Sequence, residues 1–96
     1  MVTLISLGPS DKADKKMKVV LKQESGRKKT IHFGARGMDD FTKTKDESQK
    51  SRYLQRHRGK ENWNDPMSAG FWAKNILWNK PTIQESLFDT KSRYQL

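Results

Sequence analysis

Two stretches near the N-terminus carry apolar residues at every second position, which is the pattern of half-buried β-strands. The inward-facing residues are Met17, Val19 and Leu21 in the first stretch and Ile31 and Phe33 in the second. Between residues 17–22 and 28–33 lies a short polar segment with Gly26, which tolerates the positive φ of a tight turn. The pattern predicts an antiparallel hairpin, and weaker alternation over residues 2–7 predicts a further short strand.

The pattern becomes helical after the glycine-containing loop that follows the hairpin. Thr44-Lys45-Asp46-Glu47 has the S/T-x-x-E spacing of a capping box, which marks the start of a helix. We predict a helix over residues 45–58 that ends at Gly59. Its apolar stripe consists of Tyr53, Leu54 and His57.

Two more helices are predicted in the C-terminal third. Asp65-Pro66 combines an N-cap residue with a proline at the first helical position, and it predicts a helix that runs to Trp78. This helix is apolar around more than half of its circumference, so we expect it at the buried centre. A second capping box, Thr82-Ile83-Gln84-Glu85, begins a last helix before residues 91–96, which we expect to fray. The residues of this last helix expected to face the core are Ile83, Leu87 and Phe88.

Together these elements predict a single α+β domain. An N-terminal antiparallel hairpin, with two or three strands, packs on about three short helices. Residues 1–16 are interpreted as an N-terminal strand and linker, and residues 17–96 as the domain itself. Only 32% of the 96 residues are hydrophobic, so we expect a small core built around the nine aromatic residues.

The charge balance favours a polyanionic partner. Twenty Lys and Arg oppose eleven Asp and Glu, which gives a net charge of +9 and a sequence pI near 10.0. Such a field attracts nucleic acid first, and anionic membranes or acidic proteins after it. The sequence has no cysteine, which excludes disulfides and cysteine-based zinc sites. No apolar run reaches the roughly 20 residues of a membrane helix, and residues 1–7 lack the pattern of a signal peptide, so we expect an intracellular protein without a membrane partner.

The predicted first helix carries the first candidate site for nucleic acid. Its basic residues are Lys45, Lys50, Arg52, Arg56, Arg58 and Lys60. Three of them, Lys45, Arg52 and Arg56, stand at i, i+7 and i+11, close to one stripe of a helix. Such a stripe can bind phosphate oxygens of a duplex, with the guanidinium groups binding bidentately. The alternative is a solvated outer face, which is what most charged stripes are.

The predicted hairpin carries the second candidate site. Arg27, Lys28 and Lys29 crowd its turn, and five lysines surround it. These lysines are Lys12, Lys15, Lys16, Lys18 and Lys22. Basic hairpins can bind along a groove or a phosphate backbone of a nucleic acid. The alternative is that these lysines prevent aggregation between exposed edge strands. Arg36 lies inside a G-x-x-G motif, which is either a phosphate-binding nest of backbone N–H groups or a plain loop.

The aromatic residues and the two histidines offer weaker alternatives. Trp63, Phe71, Trp72 and Trp78 have the spacing of core residues; only Trp63 lies in a polar loop suited to base stacking, and packing is favoured there as well. A histidine on a hairpin followed by a helix has a loose likeness to ββα-metal nucleases. In that alternative His32 is the base and Asn62 or Asn64 lies nearby. No Ser/His/Asp set or carboxylate pair stands out, so we expect no enzyme and no cofactor or metal.

Several short motifs occur in an order that resembles a known family. They are His32-Phe33-Gly34, Gly37, Asp40-Phe41-Thr42, Lys45-Asp46, Arg52-Tyr53, Arg56-His57, Glu61-Asn62-Trp63, Asp65-Pro66, Ala69-Gly70-Phe71-Trp72 and Leu77-Trp78-Asn79-Lys80-Pro81-Thr82. Over roughly residues 15–90 the chain resembles an uncharacterised family of small basic proteins encoded by large nucleocytoplasmic DNA viruses, the giant viruses. Thr44 departs from the family pattern, which has a histidine before the Lys-Asp pair.

The resemblance implies a viral protein in the cytoplasm or nucleus of an infected cell, or in the virion. We expect it to bind nucleic acid, double-stranded DNA foremost, with little sequence specificity, as in genome packaging. The alternatives are a minor capsid or scaffold protein that binds acidic surfaces of other viral structural proteins, and a small nuclease.

Overall fold

The computed structural model describes residues 2–96, so residue 1 of the predicted N-terminal segment lies outside the described residues. The α+β fold is as predicted: an antiparallel sheet of order β1-β2-β3 precedes a series of short helices. The strands are β1 (Thr3–Pro9), β2 (Lys15–Lys22) and β3 (Lys28–Ala35). The predicted hairpin of β2 and β3 is confirmed, and β1 is the third strand of the sheet.

One face of the sheet forms half of the hydrophobic core. The predicted inward residues are all buried, and the register pairs Met17 with Phe33 and Val19 with Ile31. Leu4 and Leu7 of β1 add partly buried side chains to the same cluster. Because neighbouring residues on a strand point to opposite faces, Lys18, Lys22 and Lys28 lie on the other face of the sheet.

The helices form the second layer. They are α1 (Phe41–Thr44), α2 (Glu47–His57), α3 (Ala69–Trp72) and α4 (Ile83–Tyr94). A π-helical turn, Ala73–Leu77, continues α3 without interruption. Within residues 2–96, no helix is long and apolar enough to cross a membrane.

The helix predicted to start at the Thr44-to-Glu47 capping box begins differently, and that detail of the prediction is wrong. Thr44 is the last residue of α1, and Lys45 reverses the chain with φ of 57°. Asp46 is the N-cap of α2, and its carboxylate accepts hydrogen bonds from the backbone N–H groups of Ser48 and Gln49. Aspartate is as good an N-cap as threonine, so the residue next to the helix takes this role.

The central helix also starts later than predicted. Asp65-Pro66 lies in a turn, where the Asp65 carboxylate accepts from the Met67 N–H, and Ser68 is the true N-cap of α3. An Asp-Pro pair stabilises such a turn by the same hydrogen bond that it would make at a helix start. The expected burial of this segment is confirmed, since Phe71, Trp72, Ile76, Leu77 and Trp78 all belong to the core.

The last helix is oriented differently from the prediction. Thr82 is its N-cap and Leu87 packs against the core, both as expected, but Ile83 and Phe88 are 37% and 76% exposed instead of facing the core. Ser86 and Thr90 are fully buried, and the Thr90 hydroxyl donates to the Asn75 carbonyl at 3.2 Å. The helix therefore packs through small polar residues at i and i+4, which places Phe88 nearly opposite.

The expected fraying of residues 91–96 is also wrong. Helix α4 continues to Tyr94, whose ring packs edge-on against Phe71 with the centroids 4.8 Å apart. Leu96 packs against the core as well. These aromatic and apolar contacts anchor the C-terminal segment, which helical periodicity alone does not reveal.

At Gly34 the sheet and the helical layer approach each other closely. Its φ is +79°, and a Cβ atom built there would lie 2.7 Å from Leu77 Cδ1 and 3.2 Å from Lys16 Cβ. We expect Gly34→Ala to lower the free energy of unfolding by about 2–4 kcal/mol, because backbone strain and overpacking add. Chemical denaturation measures the loss. Gly26→Ala provides the comparison: its φ of +88° is equally positive, but it has open space around it. An equal loss in both variants would contradict the role of the Leu77 contact.

Candidate nucleic-acid interface

The net positive charge is confined to the first two thirds of the chain. Residues 1–60 hold sixteen of the twenty Lys and Arg but only seven of the eleven Asp and Glu. Residues 61–96 hold four of each. The sheet, α1 and α2 therefore carry the charge, whereas the segment with α3 and α4 is neutral.

The solvent-facing side of the sheet and the β2–β3 turn form one basic surface. We call it the basic sheet face and define it by Lys18, Lys22, Arg27 and Lys28. Lys29 pairs with the buried Leu21 and therefore lies on the opposite side of the sheet, although its side chain is exposed there. Lys22 and Lys28 are exposed and directly opposite each other in the antiparallel register. Like charges in this cross-strand position repel and lower stability. A bound anion next to this lysine pair would reduce the repulsion between the two positive charges.

Few carboxylates offset this surface. Lys18 Nζ lies 3.8 Å from Asp11 Oδ1, and that aspartate is 76% exposed. Within residues 2–96, Lys22, Arg27, Lys28 and Lys29 take part in no ion pair. Their charges are therefore available to a partner.

The histidine of the same face does not form the nuclease arrangement. His32 Nδ1 is hydrogen bonded to Ser10 Oγ at 2.7 Å and lies 4.0 Å from Asp11 Oδ1. Asn62 instead holds the loop before α3, where it accepts from the Asn64 N–H and the Ser68 hydroxyl. Within the described part of the chain, no three His, Asp or Glu side chains are grouped to hold a metal ion. The structure does not bring His32 together with Asn62 or Asn64.

The predicted stripe on the first helix is only partly present. Lys45 lies before α2, and its ammonium group donates to the Thr42 carbonyl at 3.1 Å. Lys50 points inward: it donates to the Asn79 carbonyl at 2.7 Å and lies over the Phe41 ring. Arg52 is exposed on α2, as are Arg58 and Lys60 after its end, and Arg56 borders a pocket described below. A three-residue stripe with Lys45 is therefore wrong.

Arg36 also has a structural role. Its guanidinium donates to the Lys15 carbonyl at 3.0 and 3.2 Å and to the Ser10 carbonyl at 3.3 Å. The G-x-x-G motif forms a tight turn, in which the Met38 N–H donates to the Ala35 carbonyl and Gly37 has φ of +89°. Arg36 thereby joins the end of β1 to the start of β2.

The ten predicted site residues therefore form two separate groups. The turn with Arg27 lies at one end of β3, and α2 lies near Gly34 and Ala35 at the other end. An eight-residue strand spans about 25 Å, so one compact site cannot include both groups.

Sequence reasoning missed an aromatic pocket between α2 and the turn after β3. Tyr53 is sandwiched between Trp78 and His57, with ring centroids 4.4 and 4.2 Å apart. We call the space beside these rings the aromatic pocket; it has a volume of about 520 Å³ and is bounded on its other side by residues 34–40. The i, i+4 spacing of Tyr53 and His57 was a signal for their contact, but nothing in the sequence pointed to Trp78.

Charged groups line the aromatic pocket as well. Lys16 Nζ and Asp40 Oδ2 form a largely buried ion pair at 2.5 Å. Burial, and then the nearby Glu61 carboxylate, raise the pKa of Tyr53 above its ordinary value, so its hydroxyl remains protonated and can donate. His57 Nδ1 lies 3.4 Å from Glu61 Oε1 at the rim.

Trp63, the candidate for base stacking, is half-buried in the loop before α3. Its indole N–H donates to Glu61 Oε2 at 3.3 Å, and Lys74 Nζ lies over its ring. Both contacts agree with a packing role for this side chain.

Comparison with known proteins identifies a family but no characterised relative. Residues 5–57, which include the whole sheet except its first two residues together with α1 and α2, match the model of a family of unknown function, DUF5754. This segment contains fourteen of the twenty Lys and Arg and seven of the eleven Asp and Glu. No curated protein and no solved structure matches the chain.

Proposed function

We propose that this chain, which belongs to the DUF5754 family of unknown function, binds double-stranded nucleic acid, with DNA as the favoured partner, through its basic sheet face. The observation that carries the proposal is the exposed cross-strand pair of Lys22 and Lys28, which has Arg27 beside it in the turn. A phosphate oxygen between the two ammonium groups would replace their repulsion with two charge-assisted hydrogen bonds.

The residues of this face favour binding to phosphates without base recognition. Base recognition combines several side-chain types, with Arg or Lys on guanine, Asn or Gln on adenine and Glu or Asp on cytosine. The outward-facing strand positions instead hold small residues, lysines and one histidine: Thr3, Ser6, Gly8, Lys18, Val20, Lys22, Lys28, Thr30 and His32. Lysine binds phosphate as a point charge. We therefore infer sequence-tolerant binding, which suits the coating or packaging of a viral genome.

A charge-neutralised variant tests the proposal. Changing Lys22, Arg27 and Lys28 to Gln removes three phosphate contacts, and each contact releases about one counterion. We expect the slope of log K against log salt for duplex DNA to flatten by about 2–3 units, with affinity lowered alike for unrelated sequences. Fluorescence anisotropy at several salt concentrations measures the slope.

The matched control is Arg52, Arg58 and Lys60 changed to Gln, which removes the same charge from α2 and the residues after it. This control variant weakens only the long-range electrostatic attraction between the protein and DNA, so its slope of log K against log salt should stay close to that of the wild type. A flatter slope in this control, with an unchanged slope in the sheet variant, would place the contacts on α2. If the wild type fails to bind duplex DNA at low salt, the proposal is wrong and the charge serves an acidic protein surface.

A further inference from the structure

The aromatic pocket has the properties of a small-molecule site. Its volume of about 520 Å³ lies within the roughly 300–1,000 Å³ of typical ligand pockets. Its walls are mainly apolar, with Trp78 and Leu77 beside the stacked rings and the Met38 side chain at the rim. A bare phosphate ion would leave most of this space unfilled, so the shape favours a ligand with a sizeable ring system.

Polar groups without a protein partner also line the aromatic pocket. Within residues 2–96, neither the Tyr53 hydroxyl nor the Arg56 guanidinium makes a hydrogen bond or an ion pair. Gln49 accepts from the Thr44 hydroxyl through Oε1, which leaves its amide N–H groups as donors. All three side chains provide donors, so the pocket is suited to a ligand rich in acceptors.

The carboxylates of the pocket are already neutralised. Asp40 is paired with Lys16, and Asp39 lies 3.7 Å from Lys43 Nζ. Arg56 therefore supplies a positive charge that the carboxylates lining the pocket do not neutralise. An anionic group on the ligand gains the attraction of that charge. The Glu61 carboxylate, 3.4 Å from His57 Nδ1, does not line the pocket, but it lies near enough to oppose part of this attraction.

We propose that the aromatic pocket binds a nucleoside monophosphate, either free or as an unpaired nucleotide of a nucleic-acid strand. The phosphate pairs with Arg56, and the base lies against the apolar wall, where His57 is the exposed end of the ring stack with 35% of its side chain accessible. Both faces of Tyr53 are covered by its neighbours, so its hydroxyl contributes a hydrogen bond instead of a stacking surface. This site does not depend on duplex binding, because the basic sheet face extends to the opposite end of β3.

Calorimetry with the four ribonucleoside monophosphates tests the proposal, together with NMR of the indole N–H signals. We expect binding that shifts the Trp78 signal, which borders the pocket, and leaves the Trp63 signal unchanged. Arg56→Gln removes a bidentate charged contact and should weaken binding about 10- to 100-fold. Arg52→Gln removes the same charge one turn earlier on α2, outside the pocket, and should change affinity less than twofold.

Three further ligands test the base, the phosphate and the strand separately: a nucleoside, inorganic phosphate and a single-stranded oligonucleotide. A nucleoside without phosphate, or inorganic phosphate alone, should bind much more weakly than the monophosphate; equal binding by either one overturns the proposal. The proposal is also overturned if millimolar monophosphate produces neither heat of binding nor NMR shifts. If a single-stranded oligonucleotide shifts the Trp78 signal at a lower concentration than the monophosphate does, the preferred ligand is a nucleotide within a strand. If the oligonucleotide requires a higher concentration, the preferred ligand is the free nucleotide. Duplex binding by Arg56→Gln remains close to that of the wild type, so each proposal can fail alone.

Discussion

Replacing Trp72 with Ala should leave the domain largely unfolded at room temperature. Trp72 has no exposed surface, and its ring contacts Phe33 and Phe71 at centroid distances of 6.5 and 5.1 Å. Its indole N–H donates to the Pro66 carbonyl at 2.6 Å. Truncation of a buried tryptophan costs about 3–5 kcal/mol, which approaches the whole stability of a small domain.

Far-UV and near-UV circular dichroism during thermal unfolding check this result. Trp63→Ala is the control, because that side chain is only half-buried in a loop, and we expect a cooperative transition with a midpoint a few degrees below that of the wild type. A Trp72→Ala protein that melts cooperatively at the wild-type midpoint would show that the indole does not hold the sheet and the helices together.

Asp40→Ala should be the second most disruptive substitution, even though the residue caps a helix of only four residues. The Asp40 carboxylate accepts from Lys16 Nζ and the Thr42 hydroxyl at 2.5 Å and from the Lys43 N–H at 3.2 Å. Its loss leaves the ammonium group of Lys16 without a partner, with the side chain only 18% exposed. Breaking a buried pair from one side costs about 3–5 kcal/mol.

The neighbouring residue provides the control for this measurement. Asp39→Ala breaks an exposed pair with Lys43, so urea denaturation should show a loss of about 0–1 kcal/mol. If the unpaired ammonium group causes the loss in Asp40→Ala, adding Lys16→Met should restore part of the stability. Equal losses in Asp39→Ala and Asp40→Ala, or no recovery in the double variant, would show that the ion pair is not what stabilises this corner.

The strands and the central helix were predictable because their signals are local. In residues 17–22 and 28–33, apolar residues at every second position were enough to predict strands with one buried face, and the structure buries that face. The apolar residues from Phe71 to Trp78 likewise predicted a buried helix. Helix α1 was missed because four residues are too few to show a period, and its start depends on Asp40 as N-cap.

The surfaces were harder to predict because they depend on contacts between distant residues. Helical spacing placed Lys50 on a solvated face, but the Asn79 carbonyl and the Phe41 ring draw it inward. The outward direction of Phe88 follows from the polar contacts of Ser86 and Thr90 with the π-helical turn and the segment after it. The basic residues of the turn, Arg27, Lys28 and Lys29, are exposed, because a turn between two strands has no other layer to cover it. Lys16 differs, because its pairing with Asp40 is a contact between distant residues that the sequence does not show.

The π-helical turn ties the aromatic pocket to the length of the chain. A π turn closes with i→i+5 hydrogen bonds, so it contains one residue more than the α-helical turn that it replaces. Ala73–Leu77 is therefore equivalent to a single-residue insertion in a continuous helix, and it rotates the following residue by about 100°. That residue is Trp78, whose ring lies 7° from parallel with Tyr53. In evolutionary terms, a pocket wall that depends on an insertion can be gained or lost in one indel, without a change in any of the side chains that line it.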